Sequence, residues 1–125
     1  MTNGPSVPRA ILIVEDDQLL KFLTVDIVEG AGFVALEASS ADEAVAILES
    51  RSDIVLLLTD INMPGSMDGL KLAHAVRNRW PPIKIIVVSA RERLSADDLP
   101  TDSRFFAKPY TSETIISEIR SLIGR

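Results

Sequence analysis

Short runs of consecutive apolar residues recur along the chain, separated by segments with a helical spacing of apolar residues. One run covers residues 54–58, is rich in branched side chains, and continues through Thr59 to Asp60. An apolar run of this length without alternation is typical of a strand buried on both faces of a parallel sheet. The same pattern predicts five strands, at residues 10–14, 33–37, 54–60, 83–88 and 104–107.

Helical spacing predicts a helix after each of the first three strands. The first begins after Asp17, whose carboxylate can cap it, and the glycines of residues 30–32 end it. The second covers residues 41–51 and begins with the capping-box pair Ser40 and Glu43, and the third covers residues 68–79. The first helix takes its apolar spacing from Leu19, Leu20, Leu23, Ile27 and Val28.

The pattern weakens after the fourth strand. Between Ala90 and Arg104, Ser95 can cap a single turn that Pro100 ends, so a fourth helix should be short or irregular. Thr111 then caps a final helix with an isoleucine stripe. Five strands alternating with five helical segments indicate an α/β fold, a parallel sheet with helices on both faces. We expect one domain at residues 9–125, preceded by a flexible tail at residues 1–8.

Composition narrows the class of function. The chain has 125 residues, a formal net charge of -5 and a sequence pI of about 4.8, which argue against a nucleic-acid-binding surface. It has no cysteine, so it offers neither a disulfide framework nor a thiolate metal site. No apolar run reaches about 18 residues and no leader pattern is present, so we expect a soluble, cytoplasmic protein without membrane contact.

Polar side chains stand at the carboxyl ends of four of the five predicted strands. Glu15 and Asp16 follow the first, Asp60 ends the third, and Ser89 and Lys108 follow the fourth and fifth. In a parallel sheet these ends share one edge, where ligands bind. A cluster of hard carboxylate oxygens favours Mg²⁺, and an aspartate beside that cation can attack phosphorus. Lysine and serine can then bind phosphoryl oxygens, so this edge is a candidate phosphoryl-transfer site.

Other interpretations stay open on the residues alone. Ser89 can cap a turn, Lys108 can be a solvated charge, and Asp17 is assigned only to helix capping. A metal-dependent phosphohydrolase would use a second aspartate two residues after Asp60, where this chain has Asn62. A flavodoxin-like nucleotide binder would need a Ser, Thr or Gly phosphate loop after the first strand, where this chain is acidic.

Several motifs together resemble the receiver domain of two-component response regulators, of the single-domain type, over essentially the whole chain from Arg9 to Arg125. The resemblance implies a flavodoxin-like fold with strand order 2-1-3-4-5, phosphorylation by a sensor histidine kinase or histidine phosphotransfer protein, and no enzymatic turnover. The motifs are Val14-Glu15-Asp16-Asp17, Thr59-Asp60-Ile61-Asn62-Met63-Pro64, Asp68-Gly69, Val88-Ser89-Ala90 and Lys108-Pro109.

The resemblance also implies a role for each site residue. It implies Asp60 as phosphoacceptor, Glu15 and Asp16 as the acidic pair around Mg²⁺, Asn62 as a metal contact through its backbone carbonyl, Ser89 as the switch hydroxyl, Phe105 as the aromatic switch residue and Lys108 as the phosphate-binding lysine.

The chain departs from the family pattern in three places. The loop between Asp60 and Asp68 is one residue longer than usual, and only 18 residues separate Ser89 from Lys108. No sequence follows the last helix, so we expect a stand-alone receiver that signals to a downstream protein partner. We expect the segment at residues 91–103 to be mobile and to re-dock on activation.

Overall fold

The computed structural model describes residues 9–63, 67–90 and 95–124. Its centre is a parallel sheet of five strands in the order β2-β1-β3-β4-β5, which confirms the predicted fold and strand order. The expected flexible tail at residues 1–8 lies outside the described residues. The strands are β1 (Ala10–Val14), β2 (Val34–Ala38), β3 (Ile54–Asp60), β4 (Lys84–Ser89) and β5 (Ser103–Ala107).

Four α-helices cover the two faces of the sheet, and a side-chain oxygen caps the start of each. Asp17 Oδ1 accepts a hydrogen bond from the Leu20 amide at 3.0 Å, which confirms its capping role. Ser40, Asp68 and Thr111 cap the other three helices in the same way. The helices are α1 (Gln18–Gly30), α2 (Ala41–Ser50), α3 (Gly69–Arg79) and α4 (Ser112–Ile123).

The core consists of two layers, one on each face of the sheet. Alternate residues of β1 point to opposite faces, so Leu12 packs with α2 and α3 while Ile13 packs with α1 and α4. All five residues of β1 are buried, as an apolar run without alternation predicts. Within the described ranges, no helix combines the length and apolar character needed to cross a membrane.

The inward face of α1 differs from the one its apolar spacing suggests. Lys21, Thr24 and Val28 are buried, whereas Leu19 and Leu23 are exposed. The polar pair can be buried because each has a hydrogen-bond partner: Lys21 Nζ donates to Ser39 Oγ, and Thr24 Oγ1 donates to the Leu20 carbonyl at 2.8 Å. The helix therefore leaves its most apolar side in solvent.

The connection between β4 and β5 contains only a three-residue 3₁₀ turn, Ala96–Asp98, in its described part. This agrees with the predicted short or irregular fourth helix, and residues 91–94 lie outside the described residues. Two side chains of α3 hold this connection: His74 Nε2 donates to the Asp98 carbonyl at 2.9 Å, and Arg77 Nε donates to the Thr101 carbonyl at 2.7 Å.

Candidate functional site

Three carboxylates meet at the carboxyl edge of the sheet. Strands β1 and β3 are neighbours with Val14 opposite Thr59, so the residues that follow β1 come beside Asp60 at the end of β3. One carboxylate oxygen from each of Glu15, Asp16 and Asp60 lies within 4.8 Å of the others. Glu15 and Asp60 are buried, and Asp16 is exposed. The edge thus collects the acidic residues that the sequence predicts for it.

Lys108 places an ammonium group among these carboxylates. Its Nζ lies 2.8 Å from Glu15 Oε1 and 3.4 Å from Asp60 Oδ2. Its backbone amide donates to the Ser89 carbonyl at 2.9 Å, which fixes the end of β5 against the end of β4. Ser89 itself is almost fully buried at this edge. Lys108 therefore contacts Glu15 and Asp60 directly and is joined to Ser89 through the backbone.

Burial disfavours the ionised forms of two carboxyls of the site, Asp60 and Glu15. Burial raises the pKa of Asp60, and the charge of Lys108 only partly offsets it. Burial likewise raises the pKa of Glu15, against the hydrogen bond from Lys108. Burial acts to lower the pKa of Lys108, but its hydrogen bond to Glu15 and the charge of Asp60 raise it overall. Ionisation of Glu15 and Asp60 thus has a free-energy cost that a cation would reduce.

The charge count and the ligand types fit a hard divalent cation. Three carboxylates and one ammonium leave two negative charges uncompensated, the charge that one Mg²⁺ would balance. Carboxylate oxygens with access to solvent at Asp16 match the preference of Mg²⁺ for a few protein oxygens plus water. Among the described residues, Glu15, Asp16 and Asp60 are the group of acidic side chains close enough to share a metal.

Gly69 is a site residue whose physical role sequence reasoning missed. A Cβ atom added there would lie 1.7 Å from the Asp60 carbonyl oxygen, so the start of α3 packs directly on the end of β3. The Gly69 amide also donates to the Ile61 carbonyl at 2.8 Å. The sequence analysis noted the Asp68-Gly69 motif but not why it needs a glycine. The close packing of α3 on β3 explains this, because it leaves no space for a side chain at residue 69.

Two further predicted residues lie outside the carboxylate cluster. Phe105 is half-buried on β5 and packs against the core layer that contains α2 and α3. Asn62 is exposed in the loop after β3, two residues beyond Asp60. Residues 64–66 of this loop, which is one residue longer than the family pattern, lie outside the described residues. The switch role of Phe105 and the metal contact of the Asn62 carbonyl stay predictions.

Comparison with known proteins points to one family. The model of the response regulator receiver domain family matches residues 11–120. The chain is 31% identical to the response regulator receiver protein CpdR of Brucella abortus, over 92% of this chain and 97% of that protein. It is 30% identical to the sensor kinase CckA of the same organism over 92% of this chain, but spans only 12% of that kinase. The crystal structure of a response regulator receiver protein from Sinorhizobium medicae superposes with a TM-score of 0.87 at 28% identity, covering 94% of this chain and 95% of the other.

Proposed function

Because the chain belongs to the response regulator receiver domain family, we propose that it accepts a phosphoryl group on Asp60 from a sensor histidine kinase or a histidine phosphotransfer protein. The observation that carries this proposal is the buried Asp60 carboxylate beside the Lys108 ammonium, on a sheet edge with two more carboxylates. Receiver domains accept a phosphoryl group as a signal, so we expect no turnover of an external substrate.

The proposed reaction transfers a phosphoryl group from a histidine nitrogen of the donor protein to the Asp60 carboxylate. A carboxylate oxygen of Asp60 attacks phosphorus, the bond from phosphorus to the donor nitrogen breaks, and an acyl phosphate forms. Glu15, Asp16, Asp60 and the Asn62 carbonyl would hold Mg²⁺, which when bound neutralises charge on the carboxylates and the phosphoryl oxygens. Lys108, 3.4 Å from Asp60, supplies positive charge where phosphoryl oxygens would lie.

Phosphorylation would also change the partners of Lys108 and Ser89. The Lys108 ammonium, now 2.8 Å from Glu15, gains a charge-assisted bond to a phosphoryl oxygen that exists only in the phosphorylated state. The Ser89 hydroxyl can donate to another phosphoryl oxygen, and its inward shift would leave space for Phe105. Phe105 carries no polar group that needs a partner when it turns inward. We propose that the rearranged surface binds a downstream protein partner in trans.

Intact-mass analysis with acetyl phosphate and Mg²⁺ tests the proposal. Wild type should gain one phosphoryl group, and Asp60→Asn should gain none, because an amide is not a nucleophile toward phosphorus. Asp97→Asn, which changes an exposed aspartate on the 3₁₀ turn, is the matched control and should be labelled like wild type. Labelling of Asp60→Asn to the wild-type extent would refute the assignment of the phosphoacceptor.

A further inference from the structure

Thr59 is the one hydroxyl residue in the strand that ends on Asp60. It is fully buried, and the five residues before it in β3 are all apolar. Its partners in the sheet are Val14 on β1 and Val87 on β4, so the neighbouring strands also present apolar residues. Valine has nearly the shape of threonine, and a buried hydroxyl costs free energy unless it has a hydrogen-bond partner. Packing alone would therefore favour valine at this position.

The partner of the Thr59 hydroxyl is the backbone carbonyl of Asp60. Oγ1 donates to this carbonyl oxygen at 2.9 Å, and the hydrogen bond is buried. The register of β1 with β3 ends at the pair Val14 and Thr59, so the paired residues of β1 do not reach Asp60. The side chain of Thr59 thus supplies a hydrogen bond to β3 just beyond the point where β1 has ended.

The start of α3 encloses this hydrogen bond. A Cβ atom added at Gly69 would lie 1.7 Å from the Asp60 carbonyl oxygen and 2.9 Å from Thr59 Oγ1. The backbone of Gly69 therefore packs against both partners of the bond and leaves no space for a water molecule on that side. If the hydroxyl were removed, water could not replace it from the side of α3.

The peptide group between Asp60 and Ile61 is also held through its amide. The Ile61 amide donates to the Val88 carbonyl on β4 at 3.1 Å. The next carbonyl along the chain, that of Ile61, accepts from the Gly69 amide at 2.8 Å. These two hydrogen bonds, together with the one from Thr59, fix the path of the chain as it leaves β3.

We propose that Thr59 is a positioning residue for the phosphoryl site. Its hydroxyl fixes the peptide group that follows Asp60, and so fixes the backbone from which the Asp60 carboxylate projects. The inference rests on the proposed function, in which that carboxylate attacks phosphorus. A displacement of about 1 Å at a reacting group can slow a reaction by up to about a hundredfold. Because Thr59 contacts the backbone of Asp60, it acts on the reaction through the position of Asp60.

Three substitutions at residue 59 separate the hydroxyl from the methyl group. Thr59→Ser keeps only the hydroxyl, Thr59→Val keeps only apolar groups, and Thr59→Ala keeps neither. The measurement is the initial rate at which acetyl phosphate and Mg²⁺ label the protein, followed by intact mass. Thr59→Val and Thr59→Ala should be labelled about tenfold more slowly than wild type, and Thr59→Ser within about twofold of wild type.

The opposite order of rates would overturn the inference. If residue 59 supplied packing alone, Thr59→Val would be labelled like wild type and Thr59→Ser would be slow. Equal rates in all the variants would also overturn it. Should Thr59→Val fail to fold, the comparison of Thr59→Ser with Thr59→Ala remains decisive, because both lack the methyl group and differ only in the hydroxyl. Equal rates in that pair would overturn the inference.

Thr24→Val is the matched control. Thr24 is also buried, and its Oγ1 donates to a backbone carbonyl, that of Leu20 at 2.8 Å, but it lies on α1 and not beside Asp60. Thr24→Val should therefore be labelled at the wild-type rate. If it were slowed as much as Thr59→Val, the loss of any buried hydroxyl would slow the reaction and the inference would fail.

The amide resonance of Ile61 gives a readout that does not depend on labelling. A hydrogen bond to a carbonyl polarises the amide of the same peptide group. The nitrogen–proton cross-peak of Ile61 should therefore shift in Thr59→Val and Thr59→Ala but not in Thr59→Ser. An unshifted cross-peak in Thr59→Val would overturn the inference.

The two readouts keep this inference distinct from the proposed function. If wild type is not labelled at Asp60 while the Ile61 cross-peak shifts as expected, the proposed function fails and the hold of Thr59 on the peptide group stands. If wild type is labelled and Thr59→Val is labelled equally fast, the inference fails and the proposed function stands.

Discussion

Replacement of Gly69 by alanine tests how closely α3 supports Asp60, the proposed phosphoacceptor. The added Cβ atom would lie 1.7 Å from the Asp60 carbonyl oxygen and 2.9 Å from Thr59 Oγ1. Carbon and oxygen atoms approach each other without strain only to about 3.3 Å. The closest atom belongs to the backbone of a central strand and cannot rotate away. The start of α3 must therefore move away from the end of β3.

The loss of stability in Gly69→Ala can be estimated from the contacts that the movement of α3 disrupts. It lengthens the 2.8 Å hydrogen bond from the Gly69 amide to the Ile61 carbonyl and loosens the packing of Leu72 and Ala73, which are fully buried on α3. Overpacking of a close contact costs about 3 kcal/mol at the upper end of its usual range. The gain in helix propensity from glycine to alanine is only about 1 kcal/mol, so the steric term decides the sign. We expect a melting temperature lowered by roughly 10 °C.

Gly30→Ala is the matched control, because a Cβ atom at Gly30 meets nothing within 4 Å. It should leave the free energy of unfolding unchanged or raise it by up to about 1 kcal/mol. Urea unfolding of both variants measures the difference, and acetyl phosphate labelling measures the consequence for Asp60, which should react more slowly in Gly69→Ala. A Gly69→Ala variant as stable as Gly30→Ala and labelled at the wild-type rate would show that α3 does not position Asp60.

Three further outcomes follow from the charges and hydrogen bonds. Mg²⁺ at ten times its dissociation constant should raise the free energy of unfolding by about 1.4 kcal/mol, and thermal melts should show that Asp16→Ala loses most of this gain. Without metal, Asp60→Asn should melt above wild type at neutral pH, and a pH series should show this advantage shrinking toward about pH 4. The reason is that burial raises the pKa of Asp60, so the folded wild type is destabilised only while that carboxyl is ionised; an Asp60→Asn variant that melts below wild type at pH 7 would contradict it. Arg77→Met should cost about 2 kcal/mol and speed amide exchange at residues 98–103, whereas Arg79→Met should leave that exchange unchanged.

The sheet could be predicted because its signal is local, but one strand boundary depends on a distant partner. Phe33 was expected to begin β2, yet the strand begins at Val34. The Phe33 amide donates to the Val28 carbonyl at the end of α1, so Phe33 belongs to the turn although its ring is buried. The Val34 amide donates to the Arg9 carbonyl beside β1 and so joins the sheet. The apolar pattern of the sequence predicts which side chains are buried, whereas backbone hydrogen bonds determine the residue at which a strand begins.

The inward face of α1 could not be predicted from periodicity for a related reason. The stripe with Leu19 and Leu23 and the stripe with Thr24 and Val28 both fit a helix. The stripe with Thr24 and Val28 is the buried one, and Lys21 can be buried with it because its ammonium donates a hydrogen bond to Ser39. Ser39 is 18 residues away, on the turn after β2. That partner exists only once the sheet has brought α1 beside the turn, so no local rule identifies it.

At the site, residue types and strand ends were enough to predict which side chains gather, but not how the charges pair. Lys108 could have paired with any of the three carboxylates, and it lies closer to Glu15 than to Asp60. The difference depends on the path of the chain after β1, where the Asp17 amide also donates to Glu15 Oε2 at 3.1 Å. These bonds hold Glu15 in place and leave Asp60 with the longer ion pair.

The two ends of β5 are held by different kinds of contact. This difference indicates which end would move if Asp60 were phosphorylated. At its start, Ser103 Oγ donates to the Pro100 carbonyl, and Arg77 donates to the Thr101 carbonyl, at 2.7 Å in both cases. Neither contact involves Asp60, Ser89 or Lys108, so we expect phosphorylation to leave both in place. The mobility expected for residues 91–103 stays a prediction. At the other end of β5, Lys108 is held by ion pairs to Glu15 and Asp60 that a phosphoryl group would directly alter. The change should therefore start at Lys108 and pass along β5 to Phe105, while the start of β5 stays fixed as the support against which Phe105 moves.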